Sequence, residues 1–280
     1  MENRIEELFE ASFINIDKPS GPTSFDVVDT IRKMLNVSKT SHSGTLDPKV
    51  TGVLVVGIGR AARLLRFLPS DKEYVGVMWL HEDVSENELK SAIKEFIGKI
   101  KQIPPKRSAV KRAEREREIY SFEILEKDGK KALFKVHCQA GTYIRKLISD
   151  LGDNLKVGAH MLELRRTKAG IFDEKDSITL YQLQEAYDEH QKGNEEKLKK
   201  YLQSIDLITK YIPAIEIKED AVPRIFNGSP LYSEFMKNKD DIKKLKKEQF
   251  IALICNKKLI EISRVTLEGN QIAVPEVVLN

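Results

Sequence analysis

Residues Ser41 to Ile58 read SHSGTLDPKVTGVLVVGI. The first part is a turn-rich loop punctuated by Gly44, Pro48 and Gly52. The last part, Val53–Ile58, is a continuous apolar run bounded by glycines, the pattern of a strand buried on both faces. One carboxylate, Asp47, sits between Leu46 and Pro48 in the loop. Asp before Pro commonly starts a turn, and an Asx turn is the plain reading. The other reading is a carboxylate displayed for chemistry, as nucleophile or base, and kept ionised by a nearby cation.

Outward from this loop the pattern is mixed. Phe13–Ile16 predicts a short strand, followed by the turn KPSGPTS. Thr23 or Ser24 then caps a helix with apolar residues at Val27, Val28, Ile31 and Leu35, and Asn36 can close it. Downstream, Arg60–Leu68 predicts a short helix and Tyr74–Leu80 a strand. Ser85 and Glu88 fit a capping box before a helix to about Phe96. Ile119–Leu125 and Ala132–Cys138 alternate around Asp128–Gly129, a hairpin signal. Tyr143–Leu155 and Thr179–Tyr187 read as helices, and Met161–Arg166 as a strand. The polar segment Tyr187–Lys210 predicts further helix and a domain boundary. Beyond Ile212–Pro213, the runs AIEIK, FIALIC, LIEISRV and QIAVPEVV predict a small, mostly β domain. Strands and helices follow no regular βαβ period, so the fold class is α+β. The expected domains are residues 1–210 and 211–280.

With 280 residues, 41% hydrophobic and 32% charged, the chain reads as soluble and globular, with one large or one large and one small domain. A net charge of +4 does not by itself mark a nucleic-acid binder, so clustering matters more. Lys99–Arg117 holds eight Lys and Arg against two Glu and is interrupted by Pro104–Pro105, a segment suited to phosphate contact. Lys237–Lys247 holds six Lys against two Asp, but its last four lysines cannot share one helix face. Cys138 and Cys255 lie far apart in apolar runs and read as small buried hydrophobes. Zinc spacing, GK[ST], GxGxxG, HExxH and GxSxG are all missing from the sequence. The N-terminus carries no signal-like apolar run and no stretch has membrane-span length, so a cytoplasmic protein without membrane contact is expected.

Other residues have two readings each. Arg145, in AGTYIRKL, is the candidate cation for Asp47 or a solvated helix residue. Tyr74 and Tyr143 can stack on a flat ring or pack in the core. His42 is a hydrogen-bonded structural residue or a wedge against a base, and Lys18 with Pro19 shapes the first turn.

Taken together, INIDKPSGPTS (14–24), HSGTLDPKVTGVL (42–54), KEYV (72–75), AGTYIRKL (140–147) and VGAHMLELRRTKAG (157–170) resemble the TruB/dyskerin family of pseudouridine synthases. The order and spacing of five motifs make coincidence implausible. The segment at 104–120 and VGAHMLELRRT resemble the archaeal and eukaryotic branch, whose members catalyse in box H/ACA guide-RNA particles. The resemblance implies a pseudouridine synthase catalytic domain with a mixed, largely antiparallel sheet. It also implies a PUA domain after about residue 211, beginning near EDAVPRIFNGSPLY. It implies that uridine in RNA becomes pseudouridine, with no cofactor and no metal. The RNA would be a guide's ribosomal RNA target or uridine 55 of tRNA. The implied partners are tRNA, rRNA, H/ACA guide RNA and small Nop- and Gar-type proteins. By motif, Asp47 would be the essential carboxylate, with Arg145 keeping it ionised. Tyr74 would stack on the flipped uracil, and Tyr143 would sit against it and take part in proton transfer. Leu164 would line the pocket, His42 would splay the RNA, and Lys18 with Pro19 would support the loop. A stand-alone tRNA enzyme and a non-catalytic RNA-binding scaffold are the alternatives.

Overall fold

The computed structural model describes residues 4–104 and 113–280. Among these, ten strands form one sheet: β1 (Ala11–Lys18), β2 (Thr40–Ser43), β3 (Thr51–Gly59), β4 (Lys72–Leu80), β5 (Gly98–Gln102), β6 (Arg115–Asp128), β7 (Lys131–Cys138), β8 (Ala159–Ala169), β9 (Phe172–Asp173) and β10 (Gln203–Ser204). Their order is β10-β1-β3-β8-β4-β7-β6-β5, with β2 paired to β3 and β9 to β8. All of these pairings are antiparallel except β3 with β8, where Thr51 and Gly52 lie beside Arg165 and Arg166. The expected α+β class with a mixed, largely antiparallel sheet is what the chain adopts.

The opening stretch explains the layering. Along β3, Leu54, Val56 and Ile58 point into a core with Ile14, Ile16, Val28, Ile31 and Leu147. Val53 and Val55 point the other way, onto Phe13, Leu64 and Phe172. An unbroken apolar run is thus required, because neither face of β3 meets water. The first face is covered by α2 (Ser24–Met34) and α4 (Ile144–Asn154), with α1 (Ile5–Glu10), α3 (Glu86–Lys94), α5 (Leu180–Gln191) and α6 (Glu196–Tyr201) around it. Thr23, Ser85 and Thr179 each begin a helix with a reciprocal capping box.

A second sheet, in the order β11-β13-β14-β15-β12, follows the short helices of the connection. Its strands are β11 (Ala214–Glu216), β12 (Leu231–Tyr232), β13 (Phe250–Cys255), β14 (Lys258–Glu268) and β15 (Gln271–Val278), with α7 (Val222–Phe226) alongside. Ala252, Leu259, Ile262 and Val277 share the core under Val53 and Val55, so the two sheets are packed together. Arg60 and Arg63 reinforce the contact by donating to the carbonyls of Leu279 at 3.0 Å and Val278 at 2.8 Å.

Two segments differ from expectation. Arg60–Leu68 forms two short 3₁₀ turns rather than one helix. Ala61, Leu64, Leu65, Phe67 and Leu68 are all buried, more than the single stripe an α-helix could bury. Tyr187–Lys210 is broken: Gly193 takes a φ of 93° after α5, and Gln203–Ser204 pairs with Phe13 and Ser12 of β1. A continuing helix would leave that edge of β1 unpaired. Lys237–Lys247 is largely neutralised, with Lys237, Lys243, Lys244 and Lys247 paired to Glu216, Asp240, Asp241 and Glu268. The centre of the other basic segment, residues 105–112, lies outside the described residues. Cys138 and Cys255 are buried free thiols, as expected, and burial pushes Cys138 up to about 12.

Glu261 on β14 is a buried carboxyl at 0% exposure. Ser263 Oγ donates to Oε1 at 2.5 Å, and Oε2 has no hydrogen-bond partner. Burial pushes this group up to about 7 from an ordinary 4.5, with Ser263 opposing. The folded state therefore binds a proton that the unfolded state releases between those values. Stability from this group is full below pH 4.5 and lost as pH rises through 7. Glu261→Gln is expected to stabilise the chain at pH 8 by about 2–3 kcal/mol and to flatten that pH dependence. Urea melts across pH 5–8 check this, and equal slopes in both proteins would refute it.

Candidate active site

Asp47 and Arg145 meet. Arg145 Nη2 donates to Asp47 Oδ2 at 3.1 Å, joining the loop after β2 to the first turn of α4. The partners lie 98 residues apart in sequence. Both side chains are open to solvent, at 61% for Asp47 and 60% for Arg145. Water solvates Asp47, and dehydration waits on whatever covers the site. The N-terminal end of α4 adds a dipole that favours an anion here.

The loop itself is held almost wholly by its backbone. Ser24 Oγ donates to Leu46 O at 3.0 Å and accepts from Leu46 N at 2.8 Å, gripping the residue before Asp47. Thr23 takes the N-cap of α2, which leaves Ser24 for this task. Lys18 Nζ donates to Pro48 O at 3.1 Å and to Pro19 O at 2.7 Å, and Gly21 N donates to Pro48 O at 2.9 Å. Val50 N closes the turn on Asp47 O at 3.0 Å. The turn is thus a backbone one, not the expected Asx turn, and the carboxylate is left for Arg145. Lys18 is fully buried; burial lowers its pKa, and the charge of Asp47 opposes that shift. Lys18 thus bonds main-chain oxygens both in the first turn, at Pro19, and in the Asp47 loop, at Pro48.

Tyr143 is the N-cap residue of α4, and Gln102 fixes it. Tyr143 N donates to Gln102 Oε1 at 2.9 Å, and Gln102 Nε2 donates back to Tyr143 O at 3.2 Å. Tyr74, on β4, is 8% exposed. Burial raises its phenol pKa, Arg166 opposes through charge and a hydrogen bond, and Asp47 adds a smaller raising effect. Its ring is covered in the free chain, so stacking on it requires a base to displace what covers it. Leu164, on β8, is half-buried and packs against the main core.

His42 stands apart. It lines a cleft of about 590 Å³ with Arg63, Arg66, Glu276 and Val277, between β2 and β15, which Asp47, Tyr74, Tyr143 and Arg145 do not line. Burial, then the charge of Arg166, pushes its pKa down, and Nδ1 is buried without a partner. Neutral imidazole at pH 7 suits a wedge better than a phosphate clamp. No cluster of three metal-ligating side chains occurs among the described residues. No helix among them is long and apolar enough to cross a membrane.

Ser24, Gln102 and Arg166 escaped the sequence reading. Ser24 carried a signal, being the second of two candidate caps. Gln102 carried none, being one polar residue in a basic run.

A carboxylate and guanidinium at a loop–helix junction, flanked by two tyrosines, define a site for acid–base or nucleophilic work on a flat ring. Comparison with known proteins agrees. Residues 32–144 match the N-terminal domain of TruB family pseudouridylate synthases, and residues 145–209 match the tRNA pseudouridylate synthase B C-terminal domain. The chain belongs to the TruB family of pseudouridine synthases. It is 48% identical over 232 residues to a probable tRNA pseudouridine synthase B of Methanopyrus kandleri, covering 82% of this chain and 69% of that one. It is 42% identical over 271 residues to the protein of that name from Archaeoglobus fulgidus, covering 96% and 83%. Among solved structures it resembles a Cbf5–Nop10–Gar1 complex, with a TM-score of 0.88 and 40% identity, covering 99% of this chain and 88% of that one. An H/ACA ribonucleoprotein bound to a substrate RNA containing 2′-deoxyuridine is similar at a TM-score of 0.85 and 37% identity, covering 99% and 88%. The architecture is a catalytic domain with a PUA-like domain.

Proposed function

We propose that this chain isomerises uridine to pseudouridine in RNA at the Asp47–Arg145 site. The observation that carries the reading is the 3.1 Å contact between these two residues from distant motifs. The N1–C1′ bond of the nucleoside breaks, the uracil turns, and a C5–C1′ bond forms. C5 gives up a proton and N1 gains one, so the atoms balance without a co-reactant. Asp47 is the essential carboxylate, acting on the sugar or base, and Arg145 holds it ionised once RNA excludes water. Tyr143 lies against the base, Tyr74 stacks on the flipped uracil once the base displaces what covers its ring, and Leu164 lines the pocket. Flipping the uridine out of its stack costs roughly a few kcal/mol. Contact with aromatic side chains returns about 1–3 kcal/mol of it. Residues 1–210 are read as the catalytic domain and 211–280 as the PUA domain that grips RNA. The structural relatives in H/ACA complexes support guide RNA and small Nop- and Gar-type proteins as partners, and the curated relatives' names support tRNA. A cytoplasmic site of action is part of this reading.

The test is pseudouridine counting on uridine-labelled RNA. Labelled tRNA transcript and a guide's target RNA are each incubated with the chain alone, and with guide RNA plus the accessory proteins. Product is expected in at least one setting. Product on tRNA from the chain alone identifies a stand-alone enzyme, whereas product only on the guide's target with the full particle identifies a guided one. No product in any setting overturns the enzyme reading.

A further inference from the structure

Arg166 is 1% exposed, one of the largest fully buried side chains in the fold. Arginine stays charged in proteins, and a buried charge ordinarily sits against an opposite one. Its neighbour Arg165 follows that rule, with Asp17 and Glu174 as partners. Arg166 has no ion-pair partner among the described residues, and its bonds go elsewhere. Nε donates to Val53 O at 2.7 Å and Nη2 donates to Gly44 O at 3.0 Å. Tyr74 lies near enough for the Arg166 charge to favour its ionised phenolate against burial.

The positions of these acceptors matter. Gly44 and Val53 bracket the segment that carries Asp47. One rigid planar group therefore ties both ends of that loop to each other. The main chain of Arg166 also lies against Gly52 through the β3–β8 pairing. Nothing in the architecture demands a charge at this spot, and an apolar residue would avoid its desolvation cost. A fork of fixed donors is what only arginine supplies.

We infer that Arg166 is a positioning residue of the reaction: it holds Gly44 and Val53 in one geometry, and so places Asp47. The inference rests on the isomerase reading above. Displacement of a reacting group by about 1 Å can cost on the order of 100-fold in rate. Arg166→Lys keeps the charge but not the fork, and Arg166→Met removes the charge while keeping an apolar stem.

The test compares both variants with the wild-type chain in the assembly that gives product. Turnover at saturating RNA is expected to fall about 100-fold in Arg166→Met and less in Arg166→Lys. RNA affinity is expected to stay within about twofold, because Arg166 is buried away from phosphates. Hydrogen exchange is the second readout. Amides of residues 44–53 are expected to exchange faster in both variants, with β4, β7 and the second sheet unchanged. Turnover within threefold of wild type in a folded variant, or unchanged exchange at 44–53, overturns the inference. A uniform rise in exchange over the whole chain also overturns it, as that marks a merely structural arginine. If Arg166→Met does not fold, Arg166→Lys decides. A wild-type chain that makes no product sinks the isomerase reading, while exchange still decides whether Arg166 holds the loop.

Discussion

Asp47→Asn is expected to abolish isomerisation, by at least about 10³-fold or roughly 4 kcal/mol of barrier, while leaving the fold and RNA affinity nearly intact. Asn has the shape of Asp but cannot act as a charged nucleophile or base. The loop does not depend on the carboxylate, since Ser24, Lys18, Gly21 and Val50 hold it through backbone atoms. What the substitution removes structurally is one ion pair between side chains 61% and 60% exposed, an interaction worth at most about 1 kcal/mol. Single-turnover pseudouridine formation and filter binding measure the two quantities side by side. A drop in affinity beyond about tenfold, or a loss of about 3 kcal/mol in a urea melt, would show Asp47 to be structural instead.

Gly52→Ala is expected to destabilise the chain by about 3 kcal/mol or more and to disorganise the site. Gly52 has a φ of 98°, where a side chain is strained. An added Cβ would also lie 2.2 Å from the carbonyl oxygen of Arg166. That oxygen is main chain and cannot swing aside, so β3 and β8 must part at their parallel pairing. Parting them moves the Arg166 guanidinium from Val53 and Gly44 as well. A lowered urea midpoint together with lost turnover is the expected pair of results. A Gly52→Ala protein with wild-type stability and rate would mean that the β3–β8 contact is looser than described.

Much of this was legible along the chain because it is local. The cap of α2, the apolar run of β3 and the turns around Gly44 and Gly52 each depend on a few neighbouring residues. Their chemistry shows in any short window: a hydroxyl three residues before a carboxylate, or a glycine where φ must be positive. The same holds for Asp47 as a candidate, since its loop is unusual on inspection. The single helix expected at Arg60–Leu68 gives way to two 3₁₀ turns because the burial pattern there wraps around the chain. That wrap comes from the second sheet lying over it, which no local window contains.

The sequence by itself determined the α+β class, the caps, the central strand, the motifs and the residue types of the site. Only the tertiary structure decided that Arg145 meets Asp47 and that Gln102 fixes Tyr143. It alone sank the Arg166 charge beneath the Asp47 loop and placed His42 in a separate cleft. The reason is physical. Periodicity and turn chemistry report which face of an element avoids water, but not which distant element will cover it. That choice follows from the order of strands in the sheet, where β8 lies between β3 and β4 and so carries Arg166 under a loop more than a hundred residues upstream.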